Sequence, residues 1–164
     1  LDIAALQLNK YITQIVSGGQ TGVDRAALDW AIQQAISHAG WCPANRRAED
    51  GIIADHYHLK TLKSGGYRQR TRKNAADSDG TLILNWGKLE GGSLKTQHFA
   101  ESFNQPCLLV QLDADWDENK RLQVLNWLVQ HKIQQLNIAG PRESKRPGIY
   151  SKAFEFLNFL NQVA

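Results

Sequence analysis

The sequence predicts an α/β protein of three layers, α/β/α, with a mainly parallel sheet of about five strands between two layers of helices. Three observations carry this. Apolar runs of strand length alternate with segments of helical periodicity along the chain. Pro106–Leu112 is continuously apolar, as in a strand covered on both faces. Loops marked by glycine or proline follow Val16, Trp86 and Ala139, each at the exit of a predicted strand. They would open together on one edge of the sheet, where ligands of open α/β sheets lie.

Residues 1–10 read as a short helix or a loose end. Tyr11–Ser17 is the first strand, and Gly18–Gly22 a glycine loop. A helix follows from Val23 to about Ile36, with Ala27, Leu28, Ala31, Ile32 and Ala35 at helical spacing. His38–Pro43 is an edge strand stopped by Pro43. Ala44 to about Leu62 is polar and loop-like, a long connection of the kind that is either functional or mobile. Ser64-Gly65-Gly66 leads into a helix over Tyr67–Ala76. The turn Asp77–Gly80 precedes the clearest central strand, Thr81–Trp86.

A second glycine loop, Gly87–Ser93, runs into a helix from about Leu94 to Phe103, with Ser93 as N-cap and Phe99 and Phe103 on one face. In the strand Pro106–Leu112, Cys107 is a small buried hydrophobe. Asp117 caps a helix over Glu118–Lys132, whose buried stripe is Leu122, Leu125, Leu128 and Val129. Leu136–Ala139 is the last strand and Gly140–Arg146 a third polar loop. Pro147 marks the start of a final helix that runs to about Gln162, with Tyr150, Ala153, Phe154, Leu157 and Leu160 inward. With no repeat or linker, residues 1–164 form a single domain, the first ten residues a loose segment.

Composition excludes several classes. No apolar run approaches the ~20 residues that span a bilayer, and no secretory pattern opens the chain. Two cysteines, Cys42 and Cys107, are too few for a disulfide scaffold, so a cytoplasmic protein is expected. Without an initiator methionine, the sequence is expected to begin inside its reading frame or after processing. A net charge of +3 is too mild to imply nucleic acid. The basic run Lys60, Lys63, Arg68, Arg70, Arg72 and Lys73 reads either as a solvated face or as a cationic wall toward an anionic ligand. Its only interleaved aromatic is Tyr67, which argues against nucleic acid. A homo-oligomer stays open.

The chemistry concentrates in Ser17-Gly18-Gly19-Gln20-Thr21-Gly22-Val23-Asp24-Arg25. Glycine permits positive φ and close approach to a ligand, and a helix N-terminus favours an anion. The loop lacks the Gly-Lys-Ser/Thr of a Walker A sequence, and its glycine spacing is not that of a dinucleotide fingerprint. Gly91-Gly92-Ser93, with Thr96, repeats the anion-site pattern after the central strand. Arg46, Arg70 and Arg142 are candidates for bidentate phosphate contacts. The expected site is therefore Gly18, Gly19, Gln20, Thr21, Gly22, Asp24, Arg25, Arg46, Arg70, Gly91, Gly92, Ser93, Thr96 and Arg142, around a small phosphorylated ligand. No residue is assigned as catalytic, and no metal site is expected. His56 and His58 beside Asp55 read as an exposed loop, and Cys42 has no partner at zinc spacing.

Ser17–Asp29, Gly40–Pro43, Arg46–Gly51, Asp77–Ile83 and Ala139–Ser144 with Pro147–Tyr150 together resemble the family known as the putative molybdenum carriers, over nearly all the chain from Ile12. The resemblance implies a Rossmann-like fold, similar to the lysine-decarboxylase-like (cytokinin-activating) proteins and the DNA-processing protein A fold. It implies a protein that binds molybdenum cofactor (molybdopterin) or a nucleotide-like ligand. The cytokinin-activating relatives carry Pro-Gly-Gly-x-Gly-Thr-x-x-Glu. Leu89–Thr96 lacks the leading Pro, the third Gly and the Glu, which puts their phosphoribohydrolase activity in doubt. Two function classes follow: a cofactor-binding carrier, or a nucleotide-processing enzyme such as an N-glycosidic hydrolase, with Asp24 or Asp79 as acid/base.

Overall fold

The computed structural model describes residues 1–162. The chain begins with a 3-10 turn at Ile3–Ala5 and the short helix α1 (Leu8–Tyr11), then enters β1 (Gln14–Val16), α2 (Val23–Gln33) and β2 (Ser37–Ala39). β3 (Trp41–Cys42), a 3-10 turn at Ala44–Arg46, β4 (Arg47–Ala48), β5 (Gly51–Ile52) and β6 (Lys60–Thr61) fill the long connection. Regular alternation follows: α3 (Tyr67–Ala76), β7 (Gly80–Asn85), α4 (Gly91–Ser102), β8 (Cys107–Gln111), α5 (Glu118–Gln130), β9 (Gln135–Ala139) and α6 (Ile149–Leu160). Among the described residues no helix is long and apolar enough to cross a membrane.

The central sheet has five strands in the order β2-β1-β9-β7-β8, and every pairing is parallel. Helices cover both faces, as the three-layer reading requires. Counted from β9, then β1, β2, β7 and β8, the spatial order is 3-2-1-4-5, the start of the doubly wound dinucleotide-type order. The last strand in sequence thus occupies the place of the first. The side chain of Asn161, just beyond α6, accepts the Asn9 N–H at 2.9 Å, so the end of α6 lies beside the entry to β1. The α6-to-β1 link of the unpermuted order would run there.

The pleat sorts side chains between two unlike faces. Ile15, Leu82, Leu84, Leu136 and Ile138 join Trp30, Leu125, Leu128, Phe156 and Leu157 in the main core, packed against α2, α5 and α6. On the other face lie Thr81, Asn85 and Asn137, all buried. The Thr81 hydroxyl donates to Gln105 at 2.8 Å and accepts from the Asn137 amide at 3.2 Å. Buried polar groups require such partners. Above this face sit α3 and α4, packed together. Arg68 and Arg72 of α3 stack over Phe99 and Phe103, at 5.5 and 5.3 Å, and Lys73 stacks over Trp41 at 4.3 Å. Lys60 also lies over Trp41 and Arg70 over Tyr67, so all of the basic run but Lys63 is held on aromatic rings.

Several expectations are corrected. The edge strand over His38–Pro43 is two strands in different sheets. Gly40 divides them because a Cβ there would lie 1.9 Å from the Ser17 carbonyl oxygen, so the chain turns at φ +143°. β3 then pairs with β6, and β4 with β5, so the long connection holds two small sheets. Tyr11 belongs to α1, and the first strand starts at Gln14. The strand at Cys107–Gln111 is an edge strand; Cys107, Leu108 and Leu109 are only partly covered, and Val110 alone of its apolar residues is buried. In α2 the helix ends at Gln33, Ile32 is 43% exposed, and Trp30 is the buried anchor instead. Leu122 and Val129 are half-buried, while Val124 and the side chain of Arg121 face inward. Phe156 takes the inner place in α6, with Tyr150 and Phe154 at its margin.

The connection is pinned rather than loose. Arg46 donates to the carbonyls of Ile53, Ala54, Tyr57 and Leu59. The Tyr57 hydroxyl reaches Asp29 of α2 at 2.6 Å, and the His58 N–H reaches His38 Nε2 at 3.0 Å. That last bond needs His38 neutral. Burial, then the neighbouring His58 and His56, holds its pKa below the ordinary value. A depressed histidine pKa stabilises above the unfolded value, about 6.5, and the contribution is lost as pH falls. Hydrogen exchange should show the His58 amide protected at pH 7.5 and released as the pH falls below the ordinary histidine range, with His38→Gln removing the pH dependence.

Candidate functional site

A cavity of about 460 Å³ opens at the carboxyl edge of the sheet, between β9 and β7, bounded by the three loops and by α3. This is where the strand order reverses direction, the usual ligand position in open α/β sheets. Six cationic side chains line it, Arg68, Arg70, Lys95, Arg142, Lys145 and Arg146, against two acidic ones, Asp24 and Glu90. Asn85 and Asn137 lie on its sheet side and Tyr67 on its α3 side.

Of the residues expected from sequence, Gly18, Gln20, Asp24, Arg70, Gly91, Gly92, Ser93, Thr96 and Arg142 line this cavity. Gly19, Thr21, Gly22, Arg25 and Arg46 do not. Arg46 holds the long connection, as described above. Arg25 donates twice to the Gly19 carbonyl, at 3.1 and 2.9 Å, and pairs with Asp50 at 2.9 Å, which shapes the glycine loop from behind. Gly22 is pressed against the third loop, where a Cβ would lie 2.3 Å from the Pro141 carbonyl oxygen.

The first glycine loop directs its donors inward. The N–H groups of Gly19, Gln20, Thr21 and Val23 go to Ser17 Oγ, Asp24 Oδ2, Gln20 Oε1 and the Pro141 carbonyl. Arg70 lies directly over Gly18, where a Cβ would meet its Nη1 at 1.8 Å. The same Nη1 bonds Asp24 Oδ2 at 2.7 Å; Asp24 is buried and Arg70 largely so, with side chains 7% and 11% exposed. Burial pushes the Asp24 carboxyl above its ordinary range, against the opposing pull of Arg70.

Four helices leave the sheet toward this edge, and three carry one of the protein's own carboxylates at that end. Asp24 sits in the first turn of α2. Asp117 accepts the Lys120 N–H of α5 at 2.9 Å. Glu143 accepts the N–H groups of Gly148 and Tyr150 at the start of α6. The exception is α4. It begins at Gly91, so Ser93 is its third residue and not the cap, a correction to the sequence reading. Its N-cap residue, Glu90, makes no side-chain cap and turns to Arg146 at 3.4 Å. Among the described residues, nothing accepts from the N–H groups of Gly91, Gly92 and Ser93. Among the described residues, nothing beyond the adjoining residues and the backbone of α4 itself lies within 4 Å of a Cβ placed on Gly91 or Gly92. An open helix end of this kind, lining a cationic cavity, is suited to an anion.

Arg146 fixes that end in place. It donates to the carbonyls of Trp86 and Lys88, at 2.9 and 3.0 Å, tying the third loop to the second. Glu49 ties the first loop to the third. Its carboxylate accepts from the Thr21 hydroxyl and from the N–H and hydroxyl of Ser144, the latter at 3.2 and 2.6 Å. Although burial opposes it, the bonds from Ser144 and Thr21 hold the Glu49 carboxyl below the usual range. Asn85 donates to the Gly87 carbonyl at 3.2 Å, and its Oδ1 has no partner although the residue is only 1% exposed.

Arg68 was legible only as part of a basic run that could form a cationic wall, and Tyr67, Asn85, Lys95, Asn137, Lys145 and Arg146 were not among the expected site residues. A signal for two of them was present: Asn85 and Asn137 are polar residues within otherwise apolar strands. For the others, their position beside a recognised loop or helix start was the only hint.

The strand order, with a cationic cavity at its reversal, defines a Rossmann-like protein with a permuted chain order. A family model described as the circularly permutated YpsA SLOG family matches residues 15–161, and the chain belongs to that family. It is similar to the crystal structure, at 1.45 Å, of a protein from Syntrophus aciditrophicus SB called "putative molybdenum carrier protein". The two share 47% identity with a TM-score of 0.89, over 93% of this chain and 96% of that one. No curated protein matches the chain.

Removing one partner of a buried ion pair leaves an uncompensated charge, at a cost of about 3–5 kcal/mol. Urea denaturation of Arg70→Ala should show a loss of that size, about 3 kcal/mol or more. The double variant Asp24→Ala/Arg70→Ala should recover much of it.

Proposed function

We propose that this chain binds and carries a small anionic molecule whose phosphate lies at the N-terminus of α4. The observation that supports this best is the open end of α4 within a cavity of opposite charge. In this reading the N–H groups of Gly91, Gly92 and Ser93 bind the phosphate, and Arg68, Lys95 and Arg142 supply charge. Thr96 braces the turn by donating to the Gly92 carbonyl at 3.0 Å. The glycine loop acts as a wall of the cavity, and its donors serve the fold.

The printed name of the similar structure makes molybdenum cofactor the first candidate cargo. The residues present are compatible with it. Its pterin carries a single phosphate for α4, and the unpartnered Asn85 Oδ1 suits a hydrogen-bond donor on the cargo. We favour binding over hydrolysis of a nucleotide, because the Asp24 carboxylate is engaged by Arg70 and Gln20 rather than free to act as acid or base.

Mass spectrometry of small molecules released from the purified protein tests the cargo directly. The site itself is tested by Gly92→Asp, which gives α4 a carboxylate like those at the other three helix ends. Calorimetry with inorganic phosphate should then show binding at least about tenfold weaker, since a hydrogen bond to a charged group is worth ~1.5–3 kcal/mol. Unchanged binding would place the anion elsewhere.

A further inference from the structure

We propose that Asp24 is a specificity-determining residue: it is a tethered anion that holds Arg70 and closes the glycine-loop side of the cavity, so that the site accepts one phosphoryl group and rejects a diphosphate. This rests on the reading of α4 as the anion site.

Gly91, Gly92 and Ser93 line one part of the cavity, and Gly18, Gln20, Asp24 and Arg70 another. Both parts have the components of a phosphate cradle, namely glycines, a helix start and nearby cations. A ligand with two adjacent phosphates would use both. Only the α4 side is open. On the α2 side, Asp24 Oδ2 receives Arg70 Nη1 at 2.7 Å and the Gln20 N–H at 3.4 Å, donors of the kind a phosphate oxygen would recruit. The guanidinium also fills the space over Gly18 that an incoming anion would need. A second phosphate there would face a buried carboxylate and compete with it for Arg70.

Arg70 is not saturated by this arrangement, because its Nε is buried without a partner. Freed from Asp24, it remains able to bind an oxyanion. An independent sign that the cavity is built for a ligand is Asn85. Its side chain is 1% exposed, its amide nitrogen is fixed by the Gly87 carbonyl, and its Oδ1 is left without a donor.

The test is calorimetry with inorganic phosphate and with pyrophosphate on the wild type, Asp24→Asn and Asp24→Asn/Arg70→Gln, with thermal melts to confirm folding. Asp24→Ser serves as a second replacement. The wild type should bind one phosphate and prefer pyrophosphate by less than about tenfold. Asp24→Asn should gain a second phosphate site and bind pyrophosphate at least about tenfold tighter, and the added Arg70→Gln should abolish both gains. Pyrophosphate binding the wild type more than about tenfold tighter than phosphate would overturn the proposal, as would an Asp24 variant with unchanged binding. Failure of the α4 reading looks different. Phosphate would then not bind the wild type at all, or would bind Gly92→Asp as well as the wild type, and the proposal would fall with that reading.

Discussion

The site depends on one helix end left open. An α-helix of twelve residues such as α4 starts with N–H groups that no carbonyl of the helix can meet. At α2, α5 and α6 a carboxylate from the same chain lies at that end, in the form of Asp24, Asp117 and Glu143. At α4, bare glycines face the cavity. The difference is electrostatic as well as geometric, because the uncompensated dipole end lies among arginine and lysine side chains. With a carboxylate at three ends and none at the fourth, the helix starts differ in charge, which no count of glycines along the chain conveys.

The remainder of the structure positions that end. The sheet separates a hydrophobic face, buried under α2, α5 and α6, from a polar face under α3 and α4. The first supplies most of the apolar burial, at roughly 25 cal/mol per Å² removed from water. The second gives up some of that burial for a hydrogen-bonded floor of Thr81, Asn137 and Gln105, at the end of which lies Asn85. The loops at the rim are cross-tied: Arg146 holds the second to the third, and Glu49 the third to the first. Such ties reduce the ordering entropy that a ligand would otherwise have to oppose.

Much of the fold was legible in the sequence because it follows from periodicity. The alternation of strand and helix, the five-strand parallel sheet, the Asp117 cap and the meeting of three loops at one edge all appear in the structure. What was not legible depends on non-local contact. Gly40 divides a strand because Ser17 lies against it, and Trp30 is buried while Ile32 is exposed because α2 packs on α6, where Asn158 accepts the Trp30 indole N–H. The place of the last strand at the centre of the sheet has no local signature at all. In the site, composition identified the glycine loops. It could not reveal that the N–H groups of Gly19, Gln20, Thr21 and Val23 are taken up by Ser17, Asp24, Gln20 and Pro141, or that Arg25 and Arg46 are turned to backbone carbonyls. Those outcomes depend on which partner is nearer once the chain has folded.

The central claim is that an anion meets α4 and not the glycine loop. The most direct measurement is a titration of the isotopically labelled protein with inorganic phosphate, followed through its backbone amide NMR signals. The account predicts that the amides of Gly91, Gly92 and Ser93 move with a common saturation curve while those of Gly19, Gln20 and Thr21 stay in place. Shifts centred on Gly19–Thr21, with Gly91–Ser93 unmoved, would contradict it.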